Sequence, residues 1–243
     1  MNRRFDVSLV TKGRGHYYQI NGSGDLLPGV TTILGATIPK PYLVPWAAKE
    51  AANRIKVHLS EHAVNRPLTA DEIDRLVEEG RKEHEKKRDD AADVGTRAHH
   101  TIDSYINGDK VELTDDIRPA VEAFHKWQDS NPFRLVMGDT KVASPSFGFG
   151  GSLDILGESK DGLGIIDLKT SNQISWEYAL QVAAYAVAFN ETFGEEIKWA
   201  MVLRVGKKDP PEFEARPIKS LINSFEAFRL CLKMRDFLKE DLI

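Results

Sequence analysis

The segment from Phe149 to Lys169 constrains the fold of this 243-residue chain more than any other part of it. Two apolar stretches, residues 149–156 and 163–169, are joined by a short polar turn at residues 158–162. Strands of this length on either side of such a turn predict an antiparallel hairpin. Because β side chains alternate between faces, the register of this hairpin decides which residues meet on one side of the sheet.

Three charged residues interrupt these strands. Asp167 and Lys169 lie two positions apart, so their side chains point to the same face. Asp154 lies on the first strand, and strand pairing would bring its carboxylate close to Asp167. Two such carboxylates repel unless a cation lies between them, and magnesium and manganese prefer oxygen ligands. The hairpin therefore predicts a site for a divalent cation, while a structural ion pair explains Asp167 and Lys169 equally well when these two are taken alone.

Hydrophobic periodicity predicts further strands and helices along the chain. The other predicted strands are residues 5–10, 16–20, 133–143, 198–205 and 212–217. The predicted helices are residues 42 to about 64, a helix that begins with a capping box at Thr69 and Glu72, and residues 91–106, 116–128, 176–193 and 220–238. The almost wholly charged stretch 81–90 favours a solvated helix or linker over a DNA-binding segment. This order predicts an α/β fold.

Composition limits the classes of protein. The single cysteine, Cys231, excludes an intramolecular disulfide and a cysteine-ligated iron–sulfur cluster. The formal net charge of -4 argues against a chain that is basic over its whole surface. The N-terminal stretch lacks the apolar core of a signal peptide, and no run is long enough to span a membrane. We therefore expect a soluble cytoplasmic protein that does not associate with membranes.

Two more motifs flank the hairpin: Gly95 to His99 before it and Gln181 to Tyr185 after it. Gln181 and Tyr185 are one helical turn apart, so they share a face of a helix that is otherwise apolar almost all round. Such a helix packs on a sheet. A buried glutamine and a structural histidine are the alternative explanations for Gln181 and His99.

Together with Asp154 and the sequence Asp167-Leu168-Lys169, these motifs resemble the PD-(D/E)XK nuclease superfamily and, within it, the RecB-like branch. The proline of the motif's name is absent, and the four-residue step from Gly95 selects His99 rather than His100. The resemblance covers about residues 91–205. Residues 28–34 and 43–47 also resemble phage-encoded exonucleases and the mitochondrial genome maintenance exonuclease group.

The resemblance implies a restriction-endonuclease-like core with a central mixed sheet flanked by helices. It places this core in residues 91–243 and a β-hairpin with a helical extension in residues 1–90. It also implies a Mg²⁺ or Mn²⁺ ion that activates water for attack on a DNA phosphodiester. The ligands that it implies for this ion are His99, Asp154, Asp167 and the backbone carbonyl of Leu168.

The resemblance assigns catalytic roles as well. Lys169 would orient or help to deprotonate the attacking water and stabilise the transition state. Gln181 and Tyr185 would position Lys169 or the DNA backbone. Arg97, beside His99, is a candidate phosphate contact, and Asp139 on the preceding strand is a candidate for assisting a second metal ion.

Three functions are compatible with this sequence. A metal-dependent exonuclease acting on linear or single-stranded DNA ends is the first, and a structure-specific endonuclease is the second. The third is a DNA-binding module on a nuclease fold that has lost its activity. The sequence does not distinguish DNA from RNA, single from double strands or one polarity from the other. It leaves open the oligomeric state and whether a recombination or replication protein is a partner.

Overall fold

The computed structural model describes residues 1–13, 15–61, 67–131 and 133–240. Its strands are β1 (Val7–Lys12), β2 (Gly15–Ile20), β3 (Leu27–Pro28), β4 (Arg134–Ser144), β5 (Phe149–Ser159), β6 (Gly162–Lys169), β7 (Trp199–Val205) and β8 (Phe213–Pro217). Its helices are α1 (Val30–Thr37), α2 (Leu43–Glu61), α3 (Ala70–Ile106), α4 (Arg118–Asp129), α5 (Glu177–Phe193) and α6 (Leu221–Phe237). No helix in these ranges is long and apolar enough to cross a membrane.

Five strands form the main sheet in the order β4-β5-β6-β7-β8. Strands β6 and β7 are parallel, and the other neighbours are antiparallel. The predicted α/β fold with a mixed sheet flanked by helices is therefore confirmed. A crossover helix joins the two parallel strands, as such a connection requires, and this helix is α5, which carries Gln181 and Tyr185.

A second, three-stranded antiparallel sheet has the order β1-β2-β3. It contacts the main sheet through an isolated parallel bridge between Gly29 and Gly150. Tyr18 of β2 is buried in a small apolar cluster with Val7 and Ala143. The N-terminal strands thus contact the same strand, β5, that carries Asp154.

Helix α5 is buried along nearly its whole length, as its apolar sequence predicts. Its side chains join a core that includes Phe149, Leu153 and Val202 of the sheet and Phe228 of α6. This packing fixes α5 against the sheet, and it therefore also fixes the two polar residues that α5 carries.

The chain forms two compact units. The first comprises Met1–Ile38 and Arg97–Ile243, and the second comprises Pro39–Thr96. Every candidate site residue lies in the first unit. The predicted boundary between an N-terminal extension of residues 1–90 and a core of residues 91–243 stays a prediction.

Two predicted helices prove to be one. The helix that begins at the capping box runs without a break through the charged stretch and the segment from Ala91, and together they form α3. The capping box itself is confirmed, because Thr69 N donates to Glu72 Oε2 at 2.8 Å and Glu72 N donates to Thr69 Oγ1 at 3.3 Å. The charged stretch stays helical because exposed pairs such as Lys82 with Glu78 stabilise a solvated helix. The helix predicted for residues 42 to about 64 corresponds to α2, which is described as far as Glu61. Val64 lies outside the described residues.

Candidate active site

The site lies where strands β5 and β6 stop pairing. The last pair between these strands is Ile155 with Ile166. Asp154 and Asp167 are the next residues beyond that pair, one on each strand. Asp154 Oδ2 accepts a hydrogen bond from the backbone N–H of Leu168 at 2.8 Å. A carboxylate thus takes the place of a strand partner, which holds Asp154 beside the end of β6.

His99 reaches the same point from helix α3. Its Nδ1 atom lies 3.5 Å from Asp154 Oδ1, and both side chains are partly exposed. The neighbouring residues Ala98 and Ile102 are fully buried, so the helix face on which His99 borders the core is fixed by packing. The structure therefore brings together the predicted histidine and the first predicted acid.

Asp167 is a carboxylate buried without regular hydrogen bonds. It is 1% exposed, and Lys169 Nζ lies 2.6 Å from its Oδ2 atom. Neither carboxylate oxygen has a partner in hydrogen-bond geometry within the described residues, so Lys169 makes an ion pair rather than a well-aligned hydrogen bond. A buried, poorly satisfied carboxylate is costly. Such a group is typical of a site that is completed by a cation or a substrate.

The two carboxylates differ in pKa. Burial raises the pKa of Asp167 to about 6, and the charge of Asp154 adds to this while Lys169 opposes it. Burial also acts to raise the pKa of Asp154, but the interactions with His99, Lys169 and the Leu168 N–H outweigh it and lower that pKa. Nearby carboxylates do not both ionise readily. A divalent cation between them would remove this conflict.

Lys169 remains charged in this setting. Burial acts to lower its pKa, but the charges of Asp167 and Asp154 outweigh it, and the pKa is raised. Its Nζ atom also lies 5.0 Å from the centre of the Tyr178 ring, a cation–π distance. The ammonium group is therefore held between the carboxylates and the N-terminal turn of α5.

Gln181 and Tyr185 form a buried pair on α5. Gln181 Nε2 donates to the Tyr185 hydroxyl at 2.7 Å. Burial, followed by the charge of Asp167, raises the pKa of Tyr185 well above its usual range, so its hydroxyl lies in the field of the acidic site. The spacing of four residues thus places the two side chains together on α5, with Tyr185 under the influence of Asp167, and their catalytic roles stay predictions.

Gly151 makes room for Tyr185. A Cβ atom on Gly151 would lie 2.3 Å from Tyr185 Cε1, closer than any normal contact. We expect Gly151→Ala to lower the free energy of unfolding by about 1–3 kcal/mol, because the ring would have to move in a packed core. Urea denaturation measures this change. Gly24→Ala is the matched control, since nothing lies within 4 Å of a Cβ there; equal stability of the two variants would contradict the steric argument.

Arg97 and Asp139 are engaged by other protein groups. Arg97 Nη1 donates to Asp116 Oδ1 at 3.1 Å and to Thr114 Oγ1 at 3.3 Å, next to helix α4. Asp139 Oδ1 accepts from Ser152 Oγ at 2.8 Å, and its other oxygen pairs with Lys141. A DNA contact by Arg97 and a second-metal role for Asp139 therefore stay predictions.

Tyr18 is a site neighbour that the sequence does not reveal. A Cβ atom on Gly150 would lie 2.4 Å from Tyr18 Cβ, so the N-terminal sheet packs directly on the start of β5. Burial and then the charge of Asp139 raise the pKa of Tyr18 to about 12, and Asp154 contributes in the same direction. The alternating pattern of β2 predicts a strand, but it carries no signal for a partner more than a hundred residues away.

The donors fit a hard divalent cation without forming a closed cage. No group of three or more His, Cys, Asp or Glu side chains in the described ranges is arranged so as to hold an ion unaided. His99 and Asp154 are nevertheless 3.5 Å apart, near the spacing of about 3 Å expected for two ligands of one small octahedral ion. The oxygens of Asp167, which pair with Lys169 but have no regular hydrogen bond within the described residues, supply the third group of donors. An open cluster of this kind leaves positions for water and phosphate.

Comparison with known families identifies the class of protein. The model of the PD-(D/E)XK nuclease superfamily matches residues 58–229, which is more than half of the chain. The chain therefore belongs to the PD-(D/E)XK nuclease superfamily. The matched range contains every candidate site residue.

Solved structures that are similar to this chain include proteins described as exonucleases. A candidate exonuclease from Eubacterium rectale is 16% identical with a TM-score of 0.44, and the match covers 60% of this chain and 66% of that chain. An alkaline exonuclease from Laribacter hongkongensis is also 16% identical with a TM-score of 0.32, and the match covers 61% of this chain and 88% of that chain. The latter enzyme in complex with dAMP gives a TM-score of 0.30. No curated protein sequence matches the chain.

Proposed function

We propose that this protein is a metal-dependent DNA exonuclease that hydrolyses phosphodiester bonds at linear or single-stranded DNA ends. The observation that carries the proposal is the buried carboxylate of Asp167, whose oxygens have no regular hydrogen-bond partner in the described structure and lie beside a charged lysine. Membership of a nuclease superfamily makes a phosphodiester the natural substrate of such a site. A structure-specific endonuclease and a DNA-binding module that has lost its activity are the alternatives.

His99, Asp154 and Asp167 would hold a Mg²⁺ or Mn²⁺ ion, with the backbone carbonyl of Leu168 as a further ligand. Nucleases of this superfamily generally use divalent metal ions. When bound, such an ion lowers the pKa of a coordinated water and neutralises charge on the scissile phosphate. The hydrogen bond from Leu168 N fixes one oxygen of Asp154, which leaves Oδ1 facing His99 for the ion.

Lys169 would act as a fixed positive charge. Its ammonium group has three N–H donors, and the pair with Asp167 holds it beside the carboxylates. From there it would orient the attacking water and stabilise the charge that develops on the phosphate. Gln181 and Tyr185 would position Lys169 or the DNA backbone, because their hydrogen-bonded pair is buried and cannot easily change its conformation.

A degradation assay tests this function. Single-stranded, linear double-stranded and circular DNA and a single-stranded RNA, the linear molecules labelled at one end, would be incubated with Mg²⁺, Mn²⁺ or EDTA. We expect loss of linear DNA with either metal, no loss in EDTA, and intact circles, because an exonuclease requires an end. The labelled end then reports the polarity.

The other outcomes select the alternatives. Cleavage of circular DNA would show an endonuclease. Binding of DNA without cleavage under any metal would favour the DNA-binding module and would overturn the catalytic proposal. Degradation of RNA in preference to DNA would change the substrate and leave the chemistry intact.

A further inference from the structure

A cavity of about 610 Å³ lies between the N-terminal ends of α5 and α6, beside strand β8. Trp176, Arg216 and Lys219 line its rim, and Ala179 and Val202 are among the apolar groups of its floor. Trp176 is 65% exposed, although it precedes a helix that is otherwise buried. Such an arrangement presents a flat aromatic face and two cations to one space.

This cavity adjoins the candidate active site. Val202 on its floor is the register partner of Asp167 on the neighbouring parallel strand, and neighbouring strands lie about 4.8 Å apart. Trp176 precedes Tyr178 by two residues, and the Tyr178 ring is the one that lies 5.0 Å from Lys169 Nζ. A nucleotide next to the scissile phosphate could therefore reach the cavity.

The rim matches the chemistry of a nucleotide. An exposed indole offers a stacking surface to any base, and arginine and lysine bind phosphate oxygens. The contact of Arg216 with Glu214 uses the Nε and Nη2 nitrogens. The guanidinium group has five N–H donors, and no residue in the described part of the chain engages those on Nη1, so they can bind a phosphate.

We propose that this cavity is a subsite for one unpaired nucleotide beside the scissile phosphate of DNA, with its base stacked on Trp176 and its phosphate held by Arg216 and Lys219. The inference rests on the proposed function and adds a substrate class to it. A base that is still paired cannot enter this cavity, so it can stack on Trp176 there only when it has left the double helix. The strand that enters the site is therefore single-stranded at this position, either already or by fraying of an end.

The test uses a set of oligo(dT) strands, each with one abasic residue. The abasic residue lies at a different distance in each strand from the end at which degradation begins. In single-turnover assays with the native protein at concentrations well below saturation, we expect first cleavage to be about tenfold slower when the missing base falls at one particular position, because stacking at that position strengthens binding. In Trp176→Ala the position effect should disappear, and the KM for unmodified DNA should rise about tenfold with little change in kcat. Trp176→Phe should restore the position effect in part.

Controls separate the subsite from general damage. Ile222→Ala removes an exposed apolar side chain of α6 outside the cavity, where Ile222 is 78% exposed, and should behave as the native protein does. Arg216→Ala should lower the salt dependence of oligonucleotide binding by about 0.7 in the slope of log K against log salt. Arg229→Ala, which removes an arginine that pairs with Glu226 on α6 away from the cavity, should leave that slope unchanged.

A second measurement keeps this inference distinct from the proposed function. Quenching of tryptophan fluorescence by oligo(dT) in EDTA, compared between the native protein and Trp176→Phe, reports the subsite without cleavage. Quenching that depends on Trp176 in a protein that cuts nothing would support the subsite and overturn the proposed function. Active cleavage with neither a position effect nor Trp176-dependent quenching would overturn the subsite and leave the proposed function standing.

Discussion

Lys169→Ala is expected to reduce kcat for DNA cleavage by a factor of about 10²–10³ or more, the effect of removing one fixed charge from a transition state. Lys169 is the positive side chain paired with Asp167 in the acidic site, and its Nζ atom lies 2.6 Å from that carboxylate. Steady-state cleavage of end-labelled DNA at saturating DNA and metal measures this kcat. The metal concentration needed for half-maximal binding should not increase, because removal of a cation from beside the carboxylates does not weaken their attraction for a metal ion.

Two further variants make this result specific. Lys169→Arg keeps the charge but replaces a compact ammonium with a planar guanidinium, so we expect partial activity at most. Lys198→Ala removes an exposed lysine that pairs with Glu196, and it should retain full activity. Native kcat in Lys169→Ala would show that Lys169 is a structural partner of Asp167 and would remove it from the mechanism.

The main features of this site follow from local periodicity. Alternation along a strand places Asp167 and Lys169 on one side, and the hairpin brings Asp154 to them. The helical step of four residues places Gln181 and Tyr185 together. Each of these relations is a property of one element or of two strands joined by a short turn, so the sequence contains it.

The features that the sequence does not predict depend on distant parts of the chain. Helix α1 contains a β-branched stretch and was not predicted, yet Val30, Ile33 and Leu34 are buried at helical spacing in the core that α5 and α6 share. Tertiary packing thus overrides local propensity. Tyr18 reaches the site through the contact of its strand with Gly150. The cavity beside Trp176 likewise needs β8 and α6 to be in place before the exposed indole has any neighbours.

Asp167→Asn is expected to abolish metal-dependent cleavage and, in EDTA, to make the fold more stable. The substitution keeps the shape of the side chain and removes a buried negative charge that has no regular hydrogen-bond partner in the described structure. At pH 8 we expect the free energy of unfolding to rise by up to about 3 kcal/mol, since a shift of one pKa unit corresponds to about 1.4 kcal/mol. Chemical denaturation of both proteins in EDTA measures the difference.

The pH dependence of this gain has a definite sign. The pKa of Asp167 is raised from 3.8 to about 6, because burial disfavours its charged form. As the pH rises between these values, the unfolded chain releases this proton before the folded chain does, so the native protein loses stability over that window. The increase in the free energy of unfolding caused by Asp167→Asn should therefore reach its maximum above about pH 6 and be absent below about pH 4. Asp161→Asn, at the exposed hairpin turn, is the matched control.

Metal binding should offset the cost of burying the Asp167 carboxylate. A cation held by the native site should raise its melting temperature, because a ligand that binds only the folded state stabilises it. The same cation should have little effect on Asp167→Asn. The difference in stability between the two proteins should therefore become smaller or change sign when Mg²⁺ or Mn²⁺ is added. A less stable Asp167→Asn in EDTA at pH 8 would instead mean that Asp167 and Lys169 are a structural ion pair. The cost of burying this carboxylate would then have no functional explanation.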